Sequence, residues 1–127
     1  MLIEAYFGQF RDLIESCEIV KSFNLDCDKR GLYEGFLRGR ITFKERSLLH
    51  VREFVYVEIA IDRKMYSYQY MNADNQLIFR YDDTEHHQKL NLPNFPHHRH
   101  EGSEENVVYS NAPFLADVLK EIALLVQ

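Results

Sequence analysis

The chain has 127 residues, 46% apolar and 28% charged, with a formal net charge of -5. That length fits one domain, residues 1–127, around a single core, and no apolar run approaches the ~20 residues that cross a bilayer. The acidic balance excludes broad non-specific binding to nucleic acid, which needs many cations to displace counterions; a local basic patch from Arg38, Arg40, Lys44, Arg46 and Arg52 stays open.

The opening stretch, MLIEAYFGQF, lacks a basic region followed by a long apolar run, so no secretory signal is expected and the expected compartment is the cytoplasm. Residues 1 to 16 predict an amphipathic helix, because Ile3, Phe7, Phe10, Leu13 and Ile14 recur at three- and four-residue steps. Residues 17–27 turn β-like. Cys17 and Cys27 fit no zinc-ligand spacing and form no CxxC pair, so both are expected to be free thiols.

A turn at DCDKRG precedes a strand over residues 32–43 that alternates, with Tyr33, Gly35, Leu37, Gly39, Ile41 and Phe43 on one face. Residues 48–61 predict the most apolar strand, with Leu49, Val51, Val55, Val57 and Ile59 facing one way. Glu53 interrupts that face. Either a bulge or a solvent-facing edge accommodates it, or it is a carboxylate held beneath the sheet surface. After a turn at 62–64, residues 65–72 carry Tyr66, Tyr68 and Tyr70 in register. They form a half-buried sheet face or a stacking platform beside a site.

NADN is a hairpin loop, and residues 76–82 form the last clear strand. Short turns between neighbours require antiparallel pairing. Residues 83–106 lack periodicity, and a loop of that length is usually functional or disordered; Leu90, Leu92 and Phe95 supply anchors that favour order. Val107 to Tyr109 can add a short strand. Ser110 or Asn111 caps a final helix with Leu115, Val118, Leu119, Ile122, Leu125 and Val126 as its apolar stripe. The expected fold is α+β: an antiparallel sheet of about five to six strands, with an N-terminal and a C-terminal helix packed on one face.

The chemistry concentrates between Phe79 and His100. This window holds five of the six histidines, His86, His87, His97, His98 and His100, together with Arg80, Asp82 and Arg99. Imidazole titrates near neutral pH and is the commonest metal ligand. Three chemistries suit the set. A metal could be held by the imidazoles and Asp82, although no HEXXH or zinc-finger spacing occurs. Phosphodiester cleavage without metal could use His97, His98, His100 or His86 as acid and base, Asp82 to orient a histidine, and Arg80 or Arg99 against phosphate; such cleavage uses the 2′-hydroxyl and so selects RNA. The third is structural: the imidazoles hydrogen-bond carbonyls to order the loop, or form a docking surface for a protein partner. No GxSxG or Cys-His pattern supports a nucleophile, and no GxGxxG or Walker loop supports nucleotide binding.

From about Glu53 to the C-terminus the chain resembles the TumE-like toxin family of prokaryotic toxin–antitoxin systems. The resemblance is carried by Phe79-Arg80-Tyr81-Asp82, the His86-His87 pair and Pro96-His97-His98-Arg99-His100. It implies functional positions at Tyr66, Tyr68, Arg80, Asp82, His86, His97, His98 and His100, with the tyrosines and arginines contacting substrate. The chain departs from the family at Asp82-Asp83-Thr84-Glu85, where Asp-Asn-Ala-Pro is usual; the added acidity opposes anion binding at that edge. The resemblance implies a small toxin neutralised by a cognate antitoxin protein, with ribonuclease activity an analogy to other small toxins. A membrane partner is not expected. Cofactor and oligomeric state are unknown at this stage.

Overall fold

A computed structural model describes residues 1–126. Its order is α1 (Ile3–Glu15), β1 (Val20–Lys29), β2 (Glu34–Phe43), β3 (Leu48–Tyr56), β4 (Asp62–Met71), β5 (Leu77–Asp82), a 3-10 helix (Glu85–Leu90), β6 (His98–Glu101), β7 (Val107–Tyr109) and α2 (Leu115–Leu125). The strands form one sheet in sequence order, β1 to β7, every pair antiparallel. The α+β class is as expected, and the sheet has seven strands where five to six were predicted.

Alternation decides which side of the sheet is covered. Leu37, Ile41 and Phe43 of β2, Leu49, Val51 and Val55 of β3, Tyr66, Tyr68 and Tyr70 of β4, and Phe79 and Tyr81 of β5 are buried together. Both helices lie over this face: α1 contributes Ile3, Tyr6, Phe10 and Ile14, and α2 contributes Leu115, Val118, Leu119 and Ile122. Gly35 lets α1 approach, because a Cβ there would stand 2.5 Å from Phe7 Cζ and 2.8 Å from Ile3 Cγ1. The opposite face carries Arg38, Arg40, His50, Arg52, Ser67, Gln69 and Arg80, none of them buried.

Several boundaries differ from the sequence reading. β3 ends at Tyr56, and Ile59, expected on its apolar face, is 94% exposed in the bend that follows. β4 begins at Asp62, inside the expected turn. The final helix starts at Leu115, where the Phe114 N–H donates to Asp117 Oδ2 at 3.1 Å, so neither Ser110 nor Asn111 is its cap. The predicted loop over 83–106 contains the 3-10 helix and β6, and the short strand expected at Val107 to Tyr109 is β7. HRHE carries no β-branched residue to announce a strand; it becomes one by pairing with β5.

Glu53 lies on the covered face at 0% exposure, paired with Leu37 and Tyr66 in unbroken register. It is a held carboxylate, not a bulge or an exposed edge; the register shift falls after Phe54. Tyr6 from α1 and Tyr68 from β4 donate to its two oxygens. Burial raises its pKa, and the two hydroxyls and the Arg63 charge oppose that rise. Cys17 and Cys27 are free. No helix among the described residues is long and apolar enough to cross a membrane.

Candidate functional site

Register places the site. Arg80 pairs with His100, and Asp82 pairs with His98. Residues opposite each other share a face, so Arg80, Asp82, His98 and His100 all stand on the face without helices. The 3-10 helix lies across this end and brings in His87, whose ring centroid is 4.8 Å from that of His98 and 5.3 Å from that of His100. The His98 and His100 rings are 4.9 Å apart and tilted 74°. His87 and His100 line a cleft of about 830 Å³ that also reaches Arg52, His50 and His86, and the buried His98 packs against both of those rings.

Hydrogen bonds determine what these groups present. His98 Nδ1 is 2.9 Å from the Pro96 carbonyl, and His100 Nδ1 is 2.8 Å from the Glu104 carbonyl. A carbonyl only accepts, so each Nδ1 carries the proton. The two Nε2 atoms face each other at 3.1 Å, and they are the nitrogens at which a further proton or a cation can be held. Asp82 Oδ1 is 2.9 Å from His98 Nε2, and Asp82 Oδ2 is 3.6 Å from His100 Nε2.

Asp82 is itself held. The Thr84 N–H and hydroxyl each donate to Oδ1 at 3.0 Å, and Arg80 Nε donates to Oδ2 at 3.0 Å. Burial alone would raise its pKa, but the Thr84 N–H, the His98 charge and Arg80 together hold it below the usual value. Burial lowers His87, and charge on His98 and His100 lowers it further. The Arg80 guanidinium donates twice to Glu104, at 2.6 Å each, and to Gln69 at 3.2 Å. Glu104 keeps 59% of its side chain exposed, so its hold on Arg80 can be exchanged for another anion.

Other expected site residues lie elsewhere. His97 precedes His98 in an alternating segment and points to the opposite side, where its Nδ1 is 2.8 Å from the Tyr66 hydroxyl and its ring stacks on Tyr66 at 5.7 Å. Arg99 also lies on the helix side, bonded to Tyr81 and to Glu121 of α2. Tyr66 and Tyr68 are 1% and 0% exposed, which fits the sheet-face alternative and not a stacking platform or a contact to substrate. The expected meeting of imidazoles is thus corrected: His87, His98 and His100 converge, His86 is exposed at the cleft rim, and His97 belongs to the other face.

The sequence reading gave Arg63 no role. It donates to the carbonyls of Pro113 and Ala112 at 2.6 and 2.9 Å and to the Tyr68 hydroxyl at 3.1 Å, and it stacks on Phe114 at 3.9 Å. It ties the entrance of α2 to the sheet. His50 had no expected role either, and Arg52 was expected only as one member of a basic patch; the pairing of β3 with β4 sets them beside Gln69 and Ser67 in the cleft.

A family model described as Toxin TumE matches residues 10–126, a span that includes every residue of this site. The chain belongs to the TumE toxin family. Its role is therefore toxin-like, and the resemblance seen from Glu53 onward extends back into α1. Among curated proteins and solved structures nothing matches. The Phe79–Asp82 segment and the His98–His100 segment that carry the TumE resemblance are the two neighbouring strands that build the site.

Proposed function

We propose that this TumE-family chain is the toxin of a toxin–antitoxin pair, held inactive by a cognate antitoxin, and that it cleaves RNA at the cleft on the open sheet face. One observation carries the reading: three imidazoles and an ionised Asp82 converge beside a cleft that is also lined by Arg80 and Arg52. Backbone phosphate enters beside these guanidiniums and takes the place of Glu104 on Arg80. The exposed Arg52 adds a second positive charge on the approach. Attack by a 2′-oxygen on phosphorus breaks the bond to O5′, and a cyclic phosphate and a free 5′-hydroxyl result. The 2′-proton passes to a base, and O5′ gains a proton from an acid.

His98 and His100 do not divide those two roles between them. Their Nε2 atoms are 3.1 Å apart, whereas an acid and a base in such a displacement stand on opposite sides of the phosphorus. The pair acts as one unit. His86 is the exposed imidazole at the rim of the cleft.

The test is growth on induced expression, with RNA integrity read from the same cultures. The unaltered chain arrests growth and fragments RNA, and co-expression of the antitoxin restores both. His87→Ala and His98→Gln, checked for folding by circular dichroism, lose the arrest. Equal toxicity of folded variants removes the cleft from the mechanism.

A further inference from the structure

We propose that His87, His98 and His100 form a binding site for one divalent transition-metal ion of the zinc class, with Asp82 as the carboxylate beside it. The site itself stands on geometry alone; only its part in catalysis rests on the RNA-cleavage reading. With each Nδ1 protonated, the facing Nε2 atoms of His98 and His100 and the Asp82 Oδ1 at 2.9 Å from the first are three electron-pair donors in contact, and both histidines are 2% exposed. Such a set repels unless a proton or a metal cation stands among its members. Nitrogens 3.1 Å apart can each lie at the ~2.0–2.1 Å of a zinc–imidazole bond, with an angle of about 100° at the metal.

The surroundings favour an ion over a lone proton. A proton on one Nε2 would relieve the pair, but it would leave the third imidazole unexplained. His87 comes from a different element, and a ring nitrogen of each of the three histidines lies within 4.8 Å of the others. The Nδ1–H groups of His98 and His100 donate to backbone carbonyls, the outer contact that fixes the tautomer of a metal-ligating histidine. Asp82 supplies negative charge at 2.9 Å and is oriented by Thr84 and Arg80. Imidazoles with one carboxylate suit zinc, nickel, copper or iron over magnesium or calcium. An ion there faces the cleft next to Arg80, where it could polarise a phosphoryl oxygen.

The experiment uses the full chain, stripped with a chelator and titrated with cobalt(II) and with zinc chloride. Visible absorption reports the cobalt ligand field, and calorimetry reports zinc stoichiometry. One ion per chain and a cobalt spectrum from nitrogen ligands are expected. His98→Gln and the less buried His87→Ala each weaken zinc binding at least about tenfold, while His97→Gln, on the other face, retains it. A folded protein with no cobalt spectrum and no zinc heat overturns the site, as does binding unaffected by both ligand variants. The two proposals fail separately. Stoichiometric metal without RNA cleavage removes the ribonuclease reading and leaves the site; cleavage by a protein that shows no cobalt spectrum and no zinc heat removes the site and leaves the ribonuclease reading.

Discussion

Tyr6→Phe tests the buried link between α1 and the sheet. It deletes one hydroxyl that donates to Glu53, at a position where Tyr6 is 6% and Glu53 0% exposed. Water cannot replace the lost donor without entering the core. A hydrogen bond to a charged group contributes about 1.5–3 kcal/mol, and one between neutral groups about 1 kcal/mol. Unfolding entropy of ~2.1 cal/mol/K per residue gives ~0.27 kcal/mol/K for a chain of this length, so 1 kcal/mol moves Tm by about 4 °C. The variant should melt about 6–11 °C lower where Glu53 is ionised and about 4 °C lower where it is protonated. Thermal melts followed by circular dichroism from pH ~5 to ~9, each against the unaltered chain, read this difference directly. A shift below about 2 °C throughout would refute the account of Glu53 as a carboxylate held by hydroxyl donors.

Glu53→Gln should flatten part of the pH dependence of stability. Burial raises the folded-state pKa of Glu53 above its unfolded value of ~4.3, so its contribution is full below that value and is lost as pH rises through the raised one; denaturant titrations of both proteins at several pH values measure the slope. Gly35→Ala should cost about 1–3 kcal/mol by forcing Phe7 and Ile3 aside. Gly8→Ala, in α1 with nothing within 4 Å of the added carbon, should add about 0.5–1 kcal/mol of stability; urea midpoints separate the two. Glu104→Gln frees Arg80 from its exposed partner, and anisotropy of a labelled, non-cleavable RNA analogue should show up to about fivefold tighter binding.

The two helices and the strands through β5 were legible because their periodicities are local. Ile3, Phe10 and Ile14 mark a helical stripe within their own segment, and Tyr66, Tyr68 and Tyr70 mark a strand face in theirs. β6 was not legible, because His98 to Glu101 has no strand signal of its own and acquires one only against β5. Glu53 read equally well as a bulge, since its partners Tyr6 and Tyr68 are 47 and 15 residues away. Within the window that looked functional, nothing in composition separated His98 and His100 from His97 and Arg99.

From its residues alone, this chain determines an α+β order of elements, the apolar stripe of each helix, and a concentration of imidazoles near the end of one strand. The tertiary structure decides which of them meet. Side chains in a strand alternate between faces, so a slip of one residue in the pairing of β5 with β6 would send His98 and His100 under α2 and bring His97 and Arg99 to Asp82. That register depends on contacts between segments that are distant in sequence or too polar to announce themselves, and no local pattern records it.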